Sequence, residues 1–228
     1  MTNSITHRLP AWIALWALVV GWGAPAAASE EQRLIDKATF VVEELRGENK
    51  FSNLEPFFAR AKGVVVIPEL VKAGFIIGGE VGDGVLLVRD AETGEWSNPA
   101  FYTLAAASIG LQIGAQVSQV MLLIMTDGGL EKIMSDTMTL GTDLSIAVGT
   151  VGGGVEAGTT LNVEADIYSF SHAKGLFGGI SFEGAVLTPD EEAAESYYGK
   201  AVSSRAIVID REVGNPGADG IRAALAKP

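Results

Sequence analysis

The 228-residue chain has no cysteine and only two histidines, and aromatic residues make up 7% of it. Without cysteine there is no disulfide framework and no thiolate zinc site. A single histidine beyond residue 28, His172, is too few for a histidine metal centre. No Asp-x-Asp-x-Asp-Gly loop offers calcium ligands, and no cofactor or metal is expected. Basic residues are scarce as well: 16 against 28 acidic ones, a formal charge of −12. That balance argues against a nucleic-acid partner, which selects clustered Lys and Arg. It also argues against adsorption to anionic membrane by overall charge, so any lipid contact has to be local. Beyond the first residues no run is long and apolar enough for a spanning helix, which needs about 20 residues.

Residues 1–28 read as a secretory signal, with Arg8 at a weakly positive start, an apolar run over 11–23, and Ala26, Ala27 and Ala28 before the expected cleavage point. No cysteine near that point allows lipid attachment by the usual bacterial route. The expected location is the periplasm or outside the cell, at most peripheral to a membrane. Residues 29–210 read as one domain and 211–228 as a flexible tail.

Glycine is what the chain has in quantity, with 28 of them, many alternating with β-formers between 61 and 187. Residues 29–46 carry Leu34, Ile35, Ala38, Val41, Val42 and Leu45 at helical spacing behind a Ser29–Gln32 capping box. Strands are predicted at 64–67, ended by Pro68, then at 74–81 and 85–89 around a Gly82-Asp83-Gly84 hairpin turn. Further strands are predicted at 108–117, 120–125 and 144–148, with a final pair at 165–170 and 176–187. Helices are predicted at 127–136, at 189–198 behind a Thr188 cap, and at 203–209. The expected fold is α+β: a curved, mostly antiparallel, Gly-rich sheet with an N-terminal amphipathic helix and C-terminal helices.

Catalytic patterns are weak. Gly152, Gly153 and Gly154 have no lysine beyond them and open no helix, so a phosphate loop is not indicated. Asp166, Ser169, Ser171 and His172 are close in sequence, but along a strand Ser169 and Ser171 point opposite to His172, and there is no Gly-x-Ser-x-Gly elbow. The chain is not expected to be an enzyme. Among the few basic residues, Arg60, Lys62, Lys72 and Lys174 each flank a strand end and a glycine. Gathered together, they would make a small cationic mouth for a lipid phosphate; apart, they are ordinary solvated turn residues.

Several consecutive motifs resemble the SYLF domain family. They are Ala61-Lys62-Gly63 running into Pro68, Lys72-Ala73-Gly74-Phe75, Trp96-Ser97 with Pro99-Ala100, and Gly110-Leu111-Gln112-Ile113-Gly114-Ala115. Leu140-Gly141 with Asp143, Ser145, Ala147 and Gly149 follows, and then Tyr168-Ser169-Phe170-Ser171 with Lys174-Gly175-Leu176-Phe177-Gly178-Gly179. The resemblance covers about 34–209 and implies a non-catalytic lipid-binding module. Eukaryotic members bind phosphatidylinositol lipids, some bind actin, and an N-terminal amphipathic helix helps engage the membrane. The expectation is an exported phospholipid-binding module of a bacterial cell envelope, with Lys62, Lys72, Lys174 and Arg60 as the lipid-binding residues. The alternative is a structural or protein-interaction envelope component with an unidentified protein partner.

Overall fold

Two long strands organise the molecule. The structure, a computed structural model, describes residues 29–47, 54–148, 165–174 and 182–227, leaving aside the side chains of 75–77, 108–115 and 173–174. Strand β1 is Gly63–Val88 and β2 is Ala100–Ile124, antiparallel from Gly63 opposite Ile124 to Leu86 opposite Ala100. Laid flat, such a ribbon would reach about 85 Å, whereas a domain of this size has a radius of gyration of about 17 Å. The ribbon therefore has to fold over on itself. Its register shifts between Ile67 and Leu70, and again between Phe75 and Ile77. Pro68 sits in the first shift, where its missing N–H breaks no ladder bond.

The second half of β1 crosses back over the first. A Cβ on Gly84 would lie 2.7 Å from Ile67 Cγ1 and 2.8 Å from the Val66 carbonyl oxygen. One on Gly82 would lie 2.7 Å from the Glu69 carbonyl oxygen. These glycines permit a close crossing and make no turn. The three strands predicted over 64–89 are thus a single strand. The reversal instead lies between Arg89 and Pro99, where Arg89 bridges Trp96 and the Asp90 carboxylate accepts from the Glu92 and Thr93 amides.

The remaining strands are β3 (Met138–Thr139), β4 (Ile146–Val148), β5 (Ile167–Lys174) and β6 (Val186–Pro189). Among the described residues the sheet has six strands and runs β3-β6-β2-β5-β4, with β1 also on β2. The first part of β2 pairs with β6 and its last part with β5, so one strand belongs to both halves of the bend. Among the described strands β4 and β5 pair in parallel, and the other strand pairs are antiparallel. The sheet is curved and mostly antiparallel, as the glycine pattern implies. Of the expected final pair, residues 175–181 lie outside the described residues, and the described parts, β5 and β6, each pair with β2. Four consecutive residues of β1, Val64 to Ile67, are fully buried, as are Val120 to Ile124 of β2. Continuous burial means that both faces of the sheet are covered.

Among the described residues the α-helices are α1 (Glu30–Gly47), α2 (Leu54–Phe58), α3 (Asp127–Ser135), α4 (Glu191–Tyr198), α5 (Ser204–Val208) and α6 (Asp219–Ala226). Helix α1 buries Ile35, Ala38, Val41, Val42 and Leu45 on the sheet. Ser29 Oγ accepts from the Gln32 amide at 3.2 Å, but the Gln32 side chain donates to Asp36 and the Gly217 carbonyl, so the capping box is half formed. Asp190 caps α4, accepting from the Ala193 amide, while Thr188 and Pro189 belong to β6. The segment read as a flexible tail instead ends in α6, which buries Ile221, Ala224 and Leu225. Among the described residues no helix is long and apolar enough to cross a membrane.

Candidate functional site

The residues that could suggest a hydrolase are not assembled. The Asp166 carboxylate accepts from Thr126 Oγ1 and Ser145 Oγ, both at 2.7 Å. Those bonds hold its pKa below the usual carboxylate range. Ser169 donates to the Ala147 carbonyl. His172 Nδ1 lies 3.7 Å from Glu44 on α1, whose other oxygen accepts from Gln119. The described residues contain no cluster of metal-binding side chains. The glycine run at 152–154 lies outside the described residues.

The four basic candidates fall into two groups. Arg60 is exposed after α2, and Lys62 pairs with Asp127 at 2.8 Å. Both lie near the end of the ribbon where Gly63 meets Ile124. Lys72 is opposite Gln116, and the backbone of Lys174 is opposite Val117. The two groups are separated by about 26 Å of strand. Lys72 is also held by Glu80 at 2.5 Å, and Glu80 is only 5% exposed. The sheet thus brings Lys72 and Lys174 to adjacent positions of β2 and leaves Arg60 and Lys62 elsewhere.

The concavity that the structure does build runs along α1. Pro68 and Glu69, at the first register shift of β1, line the gap beside the helix, and four of the six exposed large hydrophobics among the described residues lie along it: Phe40, Val71, Val81 and Val117. Val71 lies opposite Val117 in register. One groove, of about 500 Å³, is lined by Asp36, Phe40, Val41, Pro68 and Val117. A second, of about 680 Å³, has Leu34, Val71 and Val81 among its lining. The Lys37–Glu69 ion pair, 2.6 Å long, lines both grooves and stands between the helix and the strand. Sequence reasoning points to apolar burial beside the N-terminal helix but does not single out Phe40, Val71, Val81 or Val117. The trough's one local signal was Phe40, a lone aromatic outside the apolar stripe of an otherwise amphipathic helix.

The described residues thus build an exposed trough with apolar side chains at its edge, a surface able to take up an apolar group. Residues 105–227 match the Ysc84 family, described as "Las17-binding protein actin regulator", and the chain belongs to this family, that of the SYLF domain its motifs resemble. Protein YSC84 of Saccharomyces cerevisiae is 31% identical over 163 residues, covering 70% of this chain and 34% of the relative. LAS seventeen-binding protein 3 of the same organism is 31% identical over 155 residues, 67% of this chain and 33% of the relative. SH3 domain-containing YSC84-like protein 1 of Homo sapiens is 31% identical over 141 residues, 61% and 41% respectively. The chain therefore spans only about a third to two fifths of these relatives.

Proposed function

We propose that the protein is a non-catalytic module that takes the apolar part of a phospholipid into the groove beside Phe40. The observation carrying this reading is that Phe40 is 59% exposed next to Pro68 and Val117, on the rim of a concavity. Burying the rest of that ring contributes about 1.5 kcal/mol, roughly tenfold in affinity. Lys72 and Lys174 are the basic candidates whose backbone positions adjoin the groove, and we assign the headgroup to them. The carboxylates along α1 favour a zwitterionic phospholipid over a phosphatidylinositol lipid. Export by residues 1–28 to the cell envelope belongs to the same proposal, and cell fractionation tests it. Co-sedimentation with phosphatidylcholine vesicles tests the binding. The protein should pellet with them and Phe40→Asp should lose about tenfold or more; a protein that never pellets with any vesicle overturns the reading.

A second reading, protein recognition, is favoured by the relatives named for Las17 binding. It predicts a stable protein complex and no vesicle binding.

A further inference from the structure

The groove on the other side of the Lys37–Glu69 pair differs from the Phe40 groove in charge. Its floor is apolar, with Val71 41% and Val81 53% exposed and Leu34 beside them. Its rim is acidic, carrying Glu30, Glu31, Glu69, Asp83, Asp190 and Glu192 against Arg33 and Lys37. Both cations already have acidic partners: Arg33 lies 3.5 Å from Glu30, and Lys37 pairs with Glu69. Among the described residues Asp83 accepts from Thr103 Oγ1 and Asp190 from the Ala193 amide, neither of which is a cation. Glu192 is exposed in the first turn of α4. The rim therefore keeps a surplus of negative charge above an unburied apolar floor.

That combination selects among occupants. A phosphate-bearing headgroup is repelled by the rim. A neutral apolar ligand would use the floor and leave the carboxylates without a partner. A polypeptide with apolar side chains directed down and Lys or Arg directed outward satisfies both. The stretch of α1 from Glu30 to Lys37 is about 10 Å long, room for three or four extended residues. We propose that this groove binds a short basic, apolar segment of a partner protein. The proposal does not depend on the lipid reading, because it uses the opposite side of the ion pair.

The test uses two labelled synthetic peptides, one alternating leucine with lysine and its twin with glutamate for lysine, read by fluorescence anisotropy at low salt. The lysine peptide should bind and the glutamate peptide should not. Glu192→Lys should weaken the lysine peptide about fivefold and Asp83→Asn about threefold. Val81→Ser should weaken it about threefold through the floor. Circular dichroism verifies that each variant is folded, and their exposed positions favour that. Phe40→Asp should leave peptide binding unchanged while it weakens vesicle binding about tenfold or more, which separates this proposal from the lipid reading. No binding of the lysine peptide, equal binding of the two peptides, or indifference of the lysine peptide to Glu192→Lys overturns the proposal.

Discussion

Gly84 shows how one missing side chain sets the path of the chain. Its site faces Ile67 Cγ1 and the Val66 carbonyl oxygen, and a carbonyl in a ladder cannot rotate away. Gly84→Ala is expected to destabilise the protein by about 1–3 kcal/mol, as overpacking does, read from the urea midpoint with an unchanged slope. A neutral Gly84→Ala would mean that the two halves of β1 do not cross there. Asp166 works by charge. Thr126 and Ser145, on the segments that end β2 and precede β4, both donate to it, and its pKa is lowered. A depressed folded pKa contributes stability above the unfolded value, near pH 4, and loses it as pH falls through the folded pKa. Acid titration of stability should therefore fall below about pH 4, and Asp166→Asn should be less stable at neutral pH and flatten that fall. The family motif around Ser145 thus has a local structural reason. Arg60, Lys62, Lys72 and Lys174 share a place near a strand end and a glycine, a local cue that carries no information on where a bent ribbon sends its two ends.

At the level of elements, what could be read locally was what local periodicity determines. The apolar stripe of α1 is six residues at helical spacing, and it packs where that spacing says. The unity of β1 was hidden because Pro68 and the Gly82–Gly84 pair are breakers by composition, and their tolerance depends on a crossing partner some fifteen residues away. Helix α6 was missed because Pro216, Gly217 and Gly220 suggest a loose coil, while its support comes from the other end of the chain. That support is Arg46 on α1. Its guanidinium donates to the carbonyls of Ala224, Leu225 and Lys227 and grips Glu55 with Nε and Nη2, so all five donors are used. It also lies 4.1 Å over the Phe58 ring. Three elements are tied through one side chain that meets the orphan carbonyls of a helix end. Arg46→Lys keeps the charge but loses the fork, and is expected to cost about 2 kcal/mol. Thermal unfolding should show this, together with faster amide exchange in α6; an unchanged melting temperature would assign the docking of α6 to Ile221 and Leu225 alone.

For the whole molecule the decisive quantity is the charge of −12, spread over a surface where the described lysines at 37, 62 and 72 already hold acidic partners. An acidic body approaching an anionic bilayer works against its own field, and salt reduces that penalty. The Debye length is about 30 Å at 0.01 M and about 8 Å at 0.15 M. If Phe40 and its groove supply the attraction, binding to phosphatidylcholine vesicles should barely change between those two conditions, because burial of apolar surface is insensitive to this screening. Binding to vesicles containing phosphatidylinositol lipids should be weaker at the lower salt and rise toward the phosphatidylcholine value at the higher. A headgroup captured chiefly by Lys72 and Lys174 would give the opposite slope: tight binding at low salt that salt weakens, since screening then removes an attraction instead of a repulsion. The sign of that one slope, measured by co-sedimentation on both compositions, decides whether this fold holds lipid by its apolar trough or by its few cations.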